Sequence, residues 1–220
     1  MATPSPYSRP APIRCKCVAN RTICKGVTFV KEGTKVKISS LRARSSSALS
    51  DGKNIYVSSN NNETPDFEEG VSYFLKNVTI SNKYGRQILY FGKSATKFRT
   101  APITLTKEEE KAAKDALCPP SHYVTEQEDI FSRGDYLTVK GQVKKIQPLR
   151  MVEVQGSDVP VLDLSLTLMP QRRDIDVSLW RDEALCELYV GDDVELTHLK
   201  VFIWESGNGK LNSSTYTTVK

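Results

Sequence analysis

The chain has 220 residues, of which 39% are hydrophobic and 26% charged, with a formal net charge of +5. That length fits one large domain or two of about 100 residues each, enough in either case to bury a core. No apolar run reaches the roughly 18 residues of a membrane helix. The first dozen residues, Met1 to Pro12, read as a disordered proline-rich arm without the apolar stretch of a secretory leader. Five cysteines, an odd number, then point to free thiols in a reducing compartment, nuclear or cytoplasmic. Cys15, Cys17 and Cys24 make half of a zinc spacing with no second pair, so no metal or other cofactor is expected.

The charge is unevenly placed. Residues 1–106 carry 17 Lys/Arg against 6 Asp/Glu, residues 107–132 carry 3 against 7, and residues 133–220 carry 11 against 13. Positive charge is concentrated in the first half, where attraction for a polyanion is strongest.

In chain order, residues 13–31 hold short apolar alternations (Ile13, Cys15, Cys17; Val27, Phe29) that suit a strand. From Thr34 to Arg44 basic and apolar residues alternate, with Lys35 and Lys37 facing opposite to Val36 and Ile38. Ser45 to Asp51 reads as a serine-rich loop ending in an Asp-Gly turn. Asn54 to Ser59 is a short strand. Val71 to Ser81, a turn at Asn82-Lys83-Tyr84-Gly85, and Gln87 to Gly92 give a hairpin signal. Thr106-Lys-Glu-Glu109 is a capping box opening a helix that runs to Leu117 and stops at Pro119-Pro120. Ser121 to Ser132 is acidic and reads as a linker.

The remainder alternates clearly. Tyr136 to Ile146 puts Leu137, Val139, Gly141 and Val143 on one face, the glycine marking a bulge or bend. Pro148 to Pro160 is a long connection with a short alternating piece, Met151 to Val154. Val161 to Leu168 sends four leucines inward and Asp163, Ser165 and Thr167 outward. Ile175 to Trp180 puts Ile175, Val177 and Leu179 on the core side and Asp176, Ser178 and Trp180 on the other. Asp182 to Tyr189 is a short helix, Asp193 to Trp204 a long strand, 205–209 a flexible loop and Lys210 to Lys220 the last strand. Three strands, a short helix and two strands in about 85 residues is the order of an OB-fold, a five-stranded Greek-key barrel.

An internal repeat implies a second barrel. Lys37-Ile-Ser-Ser-Leu-Arg42 aligns with Lys145-Ile-Gln-Pro-Leu-Arg150, and Gly70, Leu75 and Val78 align with Gly191, Leu196 and Leu199. The expected organisation is all-β: an arm over 1–12, a less regular OB-like barrel over 13–104, a helix and acidic linker over 105–132, and a second OB-fold over 133–220.

Four words, Leu137-Thr-Val-Lys-Gly-Gln-Val, Ile175-Asp-Val-Ser-Leu-Trp-Arg-Asp-Glu-Ala184, Val190-Gly-Asp-Asp-Val-Glu-Leu and Lys210-Leu-Asn-Ser-Ser-Thr-Tyr, resemble the DNA-binding OB domains of the replication protein A large subunit. The resemblance covers residues 133–220. It implies single-stranded DNA as partner, RNA being possible, with Trp180 stacking on one base and Trp204 or Phe202 on another. Cations for the phosphates would be Lys140, Lys144, Arg150, Arg181, Lys200 and Lys210, continued by Lys35, Lys37, Arg42, Arg44, Lys83 and Arg86, with Tyr84 a further stack. No phosphate loop, nucleophile elbow or zinc-protease helix is present, so a binding protein rather than an enzyme is expected, without membrane or small-molecule substrate. The alternative is an OB-based interaction module or a subunit of a larger complex, since fold alone does not choose between them.

Overall fold

A computed structural model describes residues 11–33, 35–83, 86–125, 130–132, 134–169, 172–204 and 209–220; the arm up to Pro10 lies outside them. The chain packs as two compact units, residues 1–24 with 43–119, and residues 25–42 with 120–220. Each unit contains a five-stranded barrel, so the fold is a tandem OB-fold with one helix between the barrels.

The first barrel is built from β1 (Ile13–Glu32) and β2 (Lys35–Ser50), whose portions within residues 25–42 group with the second unit, together with β3 (Ile55–Asn60), β4 (Ser72–Lys76), β5 (Thr79–Lys83), β6 (Arg86–Tyr90), β7 (Thr96–Arg99) and α1 (Lys107–Leu117). Its sheet runs β5-β6-β3-β2-β1-β4-β7, with β3 and β6 parallel. Strands β4 and β5 are two halves of one bent strand. The bend is at Asn77, whose φ is 56°. The first half pairs with β1 and the second with β6, which brings the sheet round to its starting strand.

The second unit holds β8 (Ser121–Tyr123), the 3₁₀ turn η1 (Ile130–Ser132), β9 (Tyr136–Ile146), β10 (Arg150–Val154), β11 (Ser157–Leu168), β12 (Asp174–Trp180), the 3₁₀ turn η2 (Arg181–Leu185), β13 (Asp193–Ile203) and β14 (Gly209–Asn212). The order is β10-β11-β12-β14-β13-β9-β8, and an additional β11–β9 pairing closes the ring. Closure brings the two backbones close: a Cβ on Gly141 would stand 2.5 Å from the Thr167 carbonyl oxygen. Glycine is required there by close approach. Strand β13 is broken like its counterpart, at His198 with φ 52°, where the register against β9 shifts.

Part of the repeat is therefore structural. Gly70/Gly191, Leu75/Leu196, Asn77/His198 and Val78/Leu199 each stand 121 residues apart. Both glycines have left-handed backbone, φ 79° and 99°, which glycine alone adopts without cost. The Gly70 N–H donates to the Cys17 carbonyl at 2.8 Å, as that of Gly191 does to Val143 at 2.8 Å. The other aligned pair is not equivalent. Lys37–Arg42 lies on β2, the descending strand of its hairpin, whereas Lys145–Arg150 runs from the end of β9 to the start of β10.

Cores form where alternation placed them. Leu162, Leu164, Leu166 and Leu168 of β11 and Ile175, Val177 and Leu179 of β12 are buried in an aliphatic core. In the first unit Cys15, Cys17, Leu49, Tyr56, Phe67, Tyr73, Leu75, Val78 and Leu89 form the core. Burial pushes both thiols up to about 12, which keeps them protonated; Cys24 is exposed. Helix α1 has its capping box at Thr106 and Glu109, and packs Ala113 and Leu117 with Ala48.

Several elements differ from the sequence reading: Ser121–Tyr123 lies in the expected linker but pairs with β9 as β8, and β11 begins at Ser157 within the expected connection. Ser45 to Ser50 is not a loop but the inner end of β2, with Ser45, Ser47 and Ser50 buried and hydroxyls bonded to neighbours such as Asn20 and Thr22. The helix expected over 182–189 is only the short turn η2. The last strand ends at Asn212, and a single bridge from Val219 to Leu196 follows.

Candidate nucleic-acid interface

The outer faces of β11 and β12 in the second unit form a ladder of hydroxyls and carboxylates. Cross-strand register sets Asp163 opposite Ser178, Ser165 opposite Asp176 and Thr167 opposite Asp174. Each hydroxyl bonds its partner carboxylate, Thr167 Oγ1 to Asp174 Oδ1 at 2.8 Å. Asp163 and Ser178, Ser165 and Asp176 line a groove of about 220 Å³, with Lys145 and Gln147 on one side and Trp204 and Lys210 on the other.

Trp204, Phe202 and Lys210 come together because β13 pairs with β14, with Phe202 opposite Lys210. Trp204 is 41% exposed. Its ring meets that of Phe202 edge to face at 5.8 Å, and the Lys210 ammonium lies 5.6 Å from the indole centroid. An exposed indole beside a groove offers a flat ligand a π-surface.

The carboxylate Asp163 anchors the cations. Burial raises its pKa, but hydrogen bonds from Ser178 and Arg150 and the nearby charges of Lys210 and Arg150 together hold it below the ordinary value. Arg150 Nε reaches Asp163 at 2.9 Å and Lys210 Nζ at 3.6 Å. Lys144 is likewise paired with Asp174. Three of the expected phosphate contacts are thus already paired with carboxylates, Arg150 and Lys210 with Asp163 of the groove and Lys144 with Asp174 outside its lining.

The remaining candidates are scattered. Trp180, expected to be open, is half-buried: its indole N–H points to Asn212 Oδ1 at 3.4 Å, its backbone N–H donates to Ser213 Oγ at 2.8 Å, and it does not line the groove. Arg181 is exposed, with φ 58° at the start of η2. Lys200 sits over the Tyr136 ring at 5.0 Å, and Lys140 faces Glu195 across the sheet. Lys35, Lys37 and Arg42 fall in the second unit with residues 25–42, and Lys37 pairs with Glu32 at 2.5 Å. Arg44 and Arg86 belong to the first unit, Arg86 donating to the Ala116 carbonyl at 3.4 Å. Tyr84 and the side chain of Lys83 lie outside the described residues. The single cationic path drawn from the sequence is therefore divided between two units.

Sequence reasoning does not single out Lys145, Asp163, Asp176 and Ser178, which the structure places in the groove lining. Strand alternation marks them, since all but Lys145 were read as outward on β11 and β12.

No family model matches the chain, and no curated protein does. Among solved structures, a replication protein A heterotrimer bound to ssDNA shares 14% identity at a TM-score of 0.44, covering 98% of this chain and 49% of its own. A p202 HIN1 structure in complex with 12-mer dsDNA shares 15% at 0.44, covering 96% and 92%. The second OB-fold domain of replication protein A from Methanococcus maripaludis shares 18% at 0.36, covering 45% of this chain and 93% of its own. At these values the chain is similar to them without being assigned to a family.

Proposed function

We propose that the second barrel binds single-stranded nucleic acid, DNA in the first place, along the β11–β12 face with a base stacked on Trp204. The observation that carries this reading is an exposed indole, braced by Phe202, at the end of a groove floored by hydrogen-bond acceptors. Carboxylates repel phosphates but accept from base amino groups, as Asp and Glu do from cytosine N4. Bases therefore turn inward to Asp163 and Asp176, and phosphates turn outward towards Lys145. Stacking contributes about 1–3 kcal/mol per base, largely regardless of sequence.

A fluorescence titration with a mixed-sequence single strand at two salt concentrations tests this. Trp204→Ala weakens binding roughly tenfold. With Arg150, Lys144 and Lys210 already paired, few counterions are released, and each phosphate contact contributes only about −0.7 to the slope of log K against log salt for a single strand. A slope between about −1 and −3 is expected. Absence of binding at low salt removes the reading. The second reading is a protein-docking module, favoured by Ile203, exposed between Phe202 and Trp204; it predicts a partner interaction that Trp204→Ala breaks while oligonucleotides do not bind.

A further inference from the structure

A second aromatic surface lies on the outside of the first barrel. Strands β1, β4 and β7 are neighbours, and the register aligns Arg14 with Phe74 and Phe74 with Phe98. Tyr73 and Leu75 of β4 point into the core, so Phe74 and Lys76 point away from it. Phe98 is 54% exposed. The Lys76 ammonium lies 5.6 Å from the Phe74 centroid and 5.7 Å from that of Phe98. Arg14 is exposed on the neighbouring strand β1, directly across from Phe74. Two rings side by side on a sheet exterior, with one cation beside both and another across from Phe74, do nothing for the core.

We infer that this face is a separate binding surface for single-stranded nucleic acid, with bases on Phe74 and Phe98 and phosphates on Lys76 and Arg14. Charge chooses the occupant. The first unit carries 15 Lys/Arg against 9 Asp/Glu, net +6, and exposed π-faces set among cations match a polymer that alternates planar bases with phosphates. The proposal extends the reading of the second barrel to a surface that contains none of its residues.

The test uses the full chain and a mixed-sequence strand of about 30 nucleotides, long enough for two OB sites of about 4–16 nucleotides each. Phe98→Ala and Phe98→Leu each weaken binding roughly tenfold, Leu included because it keeps apolar bulk but lacks the π-face. Each loss adds to that of Trp204→Ala. Full affinity in Phe98→Leu overturns stacking here. If Trp204→Ala weakens binding and neither Phe98 variant does, the groove stands and this surface falls. If the Phe98 variants weaken binding and Trp204→Ala does not, this surface stands and the groove reading falls. No binding by the unaltered chain overturns both.

Discussion

The two barrels share a strand order and a bulge but not an interior. Both break the fourth barrel strand at one residue with left-handed backbone, Asn77 in one and His198 in the other, so that its halves pair with different neighbours. The second is filled by aliphatic side chains and capped at η2 by Ala184. The first has no helix between β3 and β4. Phe67 fills that place, edge to face with Tyr73 at 5.4 Å and Phe91 at 5.5 Å, over a core that includes two thiols. Topology therefore tolerates different fillings, provided that the bend is available and the volume is occupied.

The largest effect that bears on this contrast is expected from Phe67. Phe67→Ala should cost about 4 kcal/mol, because it opens a cavity that no neighbouring helix can close. Urea unfolding followed by circular dichroism measures it. A cost below about 1 kcal/mol would mean that Phe67 is not the filler of the first barrel.

Alkaline pH should separate the barrels next. Cys15 and Cys17 keep their protons up to about 12, because burial disfavours the thiolate. An unfolded thiol ionises near about 8.5. Their contribution is complete below that ordinary value and is lost as pH rises towards 12. The second barrel has one half-buried thiol, Cys186, raised to about 11. Both tryptophans, Trp180 and Trp204, lie in the second barrel. Alkylation mapped by mass spectrometry should therefore reach Cys15 and Cys17 at high pH while native tryptophan fluorescence persists. At neutral pH only exposed thiols such as Cys24 and Cys118 should react quickly. Labelling of Cys15 as fast as Cys24 at neutral pH would refute a closed first core.

The smallest effect concerns the helix. Thr106→Ala removes the oxygen that accepts from the Glu109 N–H at 3.2 Å, and should cost about 1 kcal/mol. Because α1 packs with Ala48 of β2, that loss belongs to the first unit. Thermal unfolding of the variant should lower the first barrel's transition and leave the tryptophan signal in place.

Strand alternation read the second barrel well: the four inward leucines of β11 and the three inward aliphatics of β12 are buried as expected. It failed at Ser45 to Ser50, where serine reads as loop composition, although the buried hydroxyls find partners across the strands. It also failed to judge exposure. Trp180 and Ser178 share the outward parity of β12, yet Ser178 is fully buried and Trp180 half-buried, because Asp163 and Lys210 close over the serine hydroxyl and Asn212 and Ser213 meet the tryptophan.

What the sequence determined alone was period and punctuation: which residues face inward on each strand, the capping box before α1, and the repeat that carries Gly70 and Gly191. These are local, fixed by pleat and backbone stereochemistry within a few residues. Which outward residues meet one another was decided only by tertiary structure. Barrel closure and register join residues far apart in the chain, setting Trp204 beside Lys210 and Asp163, and Phe98 beside Phe74.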